Sequence, residues 1–221
     1  MKSMRLSIPA AILPAVLAFG LSGLPLAQKS APTVDAQVRS FLGKMEHSWR
    51  DLNVPQADGE ILYDIVLGHK YTRSLEIGTS TGLSGIYIAW ALSKTGGKLI
   101  TVEIDETRHS EAVENFREAG LGDLIDARLA DAHELVGELP GPFDFVFIDA
   151  DKEWYGNYAR AVIPKLAPGG CIAAHNVYES GGGWGRGGAA AYFEFMKSLP
   201  EFDSRILPGG SGSLAVSYKK K

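Results

Sequence analysis

Glu76-Ile77-Gly78-Thr79-Ser80-Thr81-Gly82 is the stretch on which the fold turns. It closes a short apolar run, Ser74–Ile77, and opens an amphipathic segment, Ser84–Ser93, so it reads as strand, glycine loop, helix. The two glycines let the backbone turn sharply and come close to a ligand. Working outward, further strand candidates are Leu99–Glu103, Ile125–Ala130, Phe143–Ile148 and Cys171–Ala174. Helix candidates lie between them near Thr107–Ala119, Ala132–Leu139 and Tyr155–Leu166. Gly96-Gly97, Gly120, Gly141-Pro142 and Pro168-Gly169-Gly170 mark the joints. Strands and helices alternating at this spacing predict a doubly wound, Rossmann-like α/β domain with a parallel sheet covered on both faces.

The two ends depart from that alternation. After a helix near Ala189–Ser198, the segments Ser204–Leu207 and Ser213–Tyr218 are joined by Pro208-Gly209-Gly210-Ser211-Gly212. Two strands with so short a connection must be antiparallel. Before the α/β region, Val38, Phe41, Leu42, Met45, Trp49 and Leu52 recur at helical spacing from Thr33 onward. Asn53-Val54-Pro55 breaks this helix, and a second carries Ile61, Leu62, Ile65, Val66 and Leu67. Residues 1–27 have Lys2 and Arg5 at the start and no charge from Leu6 to Ala27. That pattern is expected of a secretory signal peptide cut after Ala27, with an uncleaved anchor or a misassigned start as the competing readings. The expected organisation is therefore 1–27 leader, 28–56 helical segment and 57–221 α/β domain. Export follows if the leader is cleaved, membrane attachment if it is not, and a cytoplasmic location if the start is misassigned.

Composition narrows the classes. With 22 basic and 26 acidic residues the chain carries −4, so no polycationic face is offered to nucleic acid. A single cysteine, Cys171, excludes an internal disulfide and a cysteine-cluster metal site.

Chemistry concentrates at the strand ends. Glu103 ends its strand twenty-one residues past Gly82, where an acid can accept ribose hydroxyls. Ser80 stands where a pyrophosphate-binding loop would have its second glycine, and Glu76 adds negative charge, which suits an ammonium better than a phosphate. A sulfonium cofactor with an amino-acid tail fits this set; a turn that binds nothing is the bland alternative. Phe143–Ile148 delivers Asp149-Ala150-Asp151-Lys152 at its carboxyl end, and the next strand ends in His175-Asn176. The plain reading of the first is a helix cap followed by a solvated lysine.

In combination these signals resemble the caffeoyl-CoA/catechol O-methyltransferase family: Glu76–Ser84, the strand ending in Glu103, Asp149–Lys152, and Pro168-Gly169-Gly170 before a strand. The resemblance runs from about Phe41 to Tyr218. It implies an S-adenosylmethionine-dependent class I methyltransferase with a seven-stranded, mostly parallel sheet, a C-terminal antiparallel hairpin, a small-molecule acceptor and often a dimer. By position, Glu76, Gly78, Thr79 and Ser84 would hold the methionine end of the cofactor, and Glu103 the ribose. Asp131 and Ala132 would sit at the adenine and Asp151 near the cofactor amino group. Lys152 would be the general base, and Asp149 a metal ligand that helps to activate the acceptor.

One departure concerns the metal. The family ends the last parallel strand in Asp-Asn, whereas this chain has His175-Asn176. A divalent cation on Asp149, His175 and Asn176 would have a softer donor set, shifted toward Mn²⁺, Fe²⁺ or Zn²⁺. The acceptor region also departs, since Gly181–Gly188 has six glycines among eight residues, with Trp184 and Arg186. A mobile lid and a linker are equally good readings of it. Rival functions are a metal-independent or nitrogen-directed methyltransferase, with His175 as base, and a cofactor-binding module without catalysis.

Overall fold

The computed structural model describes residues 32–49, 52–178, 187–208, 210–211 and 213–221. The expected leader, 1–27, lies outside the described residues, as does Gly181–Gly188 except for its last two positions. No helix among the described residues is long and apolar enough to cross a membrane.

Five parallel strands form: β1 Arg73–Ile77, β2 Lys98–Glu103, β3 Ile125–Leu129, β4 Phe143–Ile148 and β5 Leu166–Ala174, the last starting earlier than its expected Cys171 and taking in the Pro168-Gly169-Gly170 joint. The terminal pair is β6 Phe202–Ile206 and β7 Ala215–Lys219. The seven-stranded sheet runs β3-β2-β1-β4-β5-β7-β6, with β7 antiparallel to both of its neighbours. Strand order reverses at β1, because β2 lies on one side of it and β4 on the other. A crevice opens there beyond the carboxyl ends of the strands.

Alternation along β4 explains why its sequence is apolar from Phe145 to Ile148. Phe145 and Phe147 pack on one face with Leu62, Val66 and Leu92. Val146 and Ile148 pack on the other with Tyr155, Val162 and Tyr192. Both faces of a central parallel strand are buried there, so these four positions are hydrophobic, while Asp144 near the strand's start accepts the Thr72 and Arg73 N–H groups. The first face is covered by α3 Leu83–Thr95, whose residues from Leu83 to Leu92 are all buried. A helix apolar on every side needs a second cover. That cover comes from α1 Val34–Met45 and α2 Gln56–His69. The second face carries α5 Ala132–Glu138, α6 Tyr155–Val162 and α7 Gly188–Ser198, and α4 Glu106–Glu118 joins β2 to β3.

The first helix is shorter than its apolar repeat predicts. It is capped by the Thr33 hydroxyl and ends at Met45, leaving Trp49 and Leu52 beyond it. Asn53 accounts for the departure. Its side chain donates to the Thr81 hydroxyl at 2.6 Å and accepts from the Leu83 N–H at 3.3 Å. The chain thus leaves the helix to buttress the glycine loop.

Candidate functional site

Gly78, at the tip of β1, meets the end of β4. The Asp149 N–H donates to the Ile77 carbonyl at 2.8 Å, and a Cβ on Gly78 would overlap the Asp149 carbonyl oxygen. Gly78 also has φ +96°, so glycine is required twice over. From the other side Glu103 pins the loop: Oε2 accepts the Ser80 N–H at 2.7 Å, while Oε1 accepts the Ile104 and Asp105 N–H groups at 3.1 and 3.0 Å. Ser80, at φ +49°, is held in a left-handed conformation by this contact. Three of the roughly four acceptor positions of Glu103 are thereby filled by backbone, which fixes the carboxylate and leaves room for a ligand hydroxyl.

Around this junction lies a cleft of about 720 Å³. Of the residues expected to hold a cofactor, Gly78, Glu103, Asp131, Ala132 and Asp151 line it. Asp131 caps α5 by accepting the His133 N–H at 2.8 Å, and Asp151 caps the turn Lys152–Trp154 by accepting the Glu153 N–H at 3.1 Å. The capping role and the place on the cleft wall coexist.

Glu76, Thr79 and Ser84 stand behind the loop instead of lining the cleft. Strand alternation is the reason: Leu75 and Ile77 face one helical layer, so Glu76 faces the other, beneath α3. Its Oε2 accepts the Thr101 hydroxyl at 2.6 Å, whereas Oε1 has no partner among the described residues. Burial, with Asp149 and Glu103 nearby, pushes Glu76 up to about 7 against the pull of the Ser84 and Thr101 hydroxyls.

Asp149, Lys152, His175 and Asn176 also line the cleft, where β4 and β5 end. Lys152 Nζ donates to Asp149 Oδ1 at 2.5 Å and to the Tyr155 hydroxyl at 2.8 Å. Tyr155 in turn donates to the His175 carbonyl at 3.1 Å. Among an ammonium's three N–H groups, one remains for an acceptor.

Sequence reasoning missed the group that organises this end, Asp58 on α2. It is fully buried, and its Oδ2 lies 3.0 Å from His175 Nε2. His175 Nδ1 lies 3.2 Å from Asp149 Oδ2, so the imidazole bridges two carboxylates. Asp58 Oδ1 accepts the Ser211 N–H at 2.9 Å from the turn between β6 and β7. Gly210 is obligatory in that turn, because a Cβ there would overlap Asp58 Oδ1 and its φ is +55°. His133 was also missed; it stacks on Trp154 at 3.7 Å between Asp131 and Asp151. A lone aspartate in a first helical turn gives no local sign of a partner 117 residues away.

Two of the three expected cation ligands, Asp149 and His175, are committed to other side chains in this arrangement. Both His175 nitrogens face carboxylates, and the four oxygens of Asp58 and Asp149 all face protein donors. No group of three His, Cys, Asp or Glu side chains among the described residues is disposed to hold a metal.

Burial opposes charge on His175, but its hydrogen bonds to Asp149 and Asp58 outweigh burial and raise it to about 9. A histidine raised in the fold contributes stability that is complete below about 6.5 and lost as pH climbs through about 9. Glu76, raised from 4.5 to about 7, adds an earlier decline in the same direction. The melting temperature is therefore expected to fall between about pH 5 and pH 9. His175→Gln should flatten the upper part of that decline and spare the lower. An unchanged slope above neutrality in this variant would show that His175 is not charged in the fold.

A doubly wound sheet with an acid-anchored glycine loop at its switch point belongs to the Rossmann-like, cofactor-binding class of α/β proteins. The family model described as O-methyltransferase matches residues 29–184, and the chain belongs to that family. A catechol O-methyltransferase of Niastella koreensis is 41% identical over 111 residues, covering 48% of this chain and 50% of the relative. Caffeoyl-CoA O-methyltransferase 1 of Eucalyptus globulus is 30% identical over 141 residues, covering 62% and 57%. The match thus spans about half the length of these curated relatives. An O-methyltransferase from Bacillus cereus, solved in complex with SAH, superposes with a TM-score of 0.72 at 25% identity, covering 89% of this chain and 94% of that one.

Proposed function

We propose that this chain is an S-adenosylmethionine-dependent O-methyltransferase acting on a small hydroxylated, catechol-like acceptor. One observation carries the reading: a single cleft has Glu103 fixed on a glycine loop at one end and Lys152, paired with Asp149, at the other. When bound, the cofactor supplies a methyl group activated by its positive sulfur. The chain's own residues then have to align two ligands and receive a hydroxyl oxygen. Glu103 accepts from the ribose. Asp131, Ala132 and His133 form the adenine end, with Asp151 between it and the reacting centre. Lys152, once its third proton has passed to solvent, takes the hydroxyl proton of the acceptor as that oxygen takes the methyl group and the carbon–sulfur bond breaks, and Asp149 and Tyr155 hold the lysine in place.

Calorimetric titration with S-adenosylmethionine, then mass spectrometry of a catechol panel for gain of one methyl group, tests this reading. Tighter binding of NADH than of S-adenosylmethionine would overturn it. Binding without transfer to any hydroxylated acceptor would leave a cofactor-binding module. Glu103→Ala is expected to weaken S-adenosylmethionine binding by about 1.5–3 kcal/mol, the range of one charge-assisted hydrogen bond, which is roughly ten- to a hundredfold. Unchanged affinity in that variant would remove Glu103 from the ribose.

For residues 1–27, export remains our proposal, supported by the uncharged run from Leu6 to Ala27. Fractionation and N-terminal sequencing of the mature protein distinguish cleavage after Ala27 from an anchor and from a cytoplasmic protein.

A further inference from the structure

We infer that the acceptor end of the cleft takes no divalent cation, because His175 itself joins the carboxylates, Asp58 and Asp149, that a cation would otherwise bridge. The inference rests on the O-methyltransferase reading only in assigning this corner to the acceptor.

The donor chemistry carries it. Imidazole binds a metal through an unprotonated nitrogen. Here Nε2 lies 3.0 Å from Asp58 Oδ2 and Nδ1 lies 3.2 Å from Asp149 Oδ2. An ionised carboxylate has no proton to give, so each nitrogen must supply its own. The ring therefore has no lone pair left for coordination. The other two oxygens are committed as well: Asp149 Oδ1 to Lys152 at 2.5 Å, and Asp58 Oδ1 to the Ser211 N–H at 2.9 Å. The Ser211 hydroxyl stands 3.4 Å from His175 Nε2, which brings the turn between β6 and β7 against the ring. Two carboxylates are thus matched by two side-chain cations, His175 and Lys152, all in contact. Inserting a dication would require expelling a buried imidazole with both of its hydrogen bonds. That exchange is unfavourable in a site closed on one side by Gly210, whose place no side chain can take.

A further consequence concerns the acceptor. Without a cation, the positive charge offered to its oxygen comes from Lys152, supported by the His175–Asp149 pair. Acceptor recognition at this corner is then by hydrogen bonding and not by chelation, so a monohydroxylated aromatic should serve as well as a vicinal diol.

Electron paramagnetic resonance of Mn²⁺ titrated into the full chain tests the metal claim with no reference to catalysis. The wild-type protein is expected to show no saturable Mn²⁺ binding that depends on Asp149. Its activity on a catechol should be the same in chelator as with added Mg²⁺, Mn²⁺ or Zn²⁺. His175→Asp restores an all-oxygen set and should gain saturable Mn²⁺ binding that Mg²⁺ competes away. If that variant does not fold, ¹⁵N spectra of the wild-type His175 ring still decide. Two protonated nitrogens, unmoved by Mn²⁺ or Zn²⁺, support the inference. Saturable binding in the wild type that Asp149→Asn abolishes, a ring nitrogen shifted by Zn²⁺, or a folded His175→Asp that gains no site would each overturn it. Failure of the methyltransferase reading is separable, because it appears as absent S-adenosylmethionine binding while the Mn²⁺ result stands.

Discussion

Asp149→Ala is expected to lower folding stability by about 3–5 kcal/mol, the cost of leaving a buried charge without its partner. Asp149 is the only carboxylate among the described residues that pairs with both His175 and Lys152. Its removal leaves the imidazolium half satisfied and the ammonium with Tyr155 alone. Urea denaturation reads the loss as a lowered midpoint at unchanged slope. Asp149→Ala combined with His175→Ala should lose less than the sum of the two single changes, because the stranded charge has gone. A drop below about 1 kcal/mol would class the cluster with exposed ion pairs, which contribute little.

Lys152→Met should lower turnover by about 10²–10⁴, the usual contribution of a positioned proton-transfer group, at unchanged S-adenosylmethionine affinity. The methionine keeps the aliphatic stem, so the fold around Tyr155 survives. Its loss falls on the one N–H that Lys152 does not spend on Asp149 or Tyr155. Steady-state kinetics with saturating cofactor separates the possibilities. A raised KM with intact kcat would make Lys152 an anchor for the acceptor and nothing more. Unchanged rates would return it to the plain reading of a solvated residue at a helix start.

How legible the site was depended on the distance over which each contact acts. The glycine loop, Glu103 and Asp149-Ala150-Asp151-Lys152 all sit at ends of apolar runs, where local pattern and topology together predict a ligand edge. The antiparallel finish was readable because a five-residue connection permits nothing else. Its strand order was not, since β7 enters between β5 and β6 by a register that local sequence does not encode. Glu76 sits one strand position from Ile77, and that single step turns its side chain away from the cleft. Asp58 was invisible for a different reason: in the first turn of α2 it satisfies every expectation of an ordinary helix-start acid. Only the fold brings His175 to it. For the metal, the sequence offered three plausible ligands. For two of them, Asp149 and His175, the fold supplies neighbours that already engage the atoms a cation would use.

The hydrogen bond from the Ser211 N–H to Asp58 joins positions 153 residues apart, across the whole α/β alternation. A contact of that span cannot form until the intervening strands have found their order, so loop-closure entropy places it late in folding. The same logic runs in reverse. This amide sits on a surface turn, where exchange with solvent would ordinarily be fast, yet its partner is among the most deeply buried side chains in the protein. Its hydrogen-exchange protection therefore reports cooperative opening of the whole sheet and not the fraying of one turn. The acceptor corner is therefore expected to form once the sheet has its order and to be lost with it.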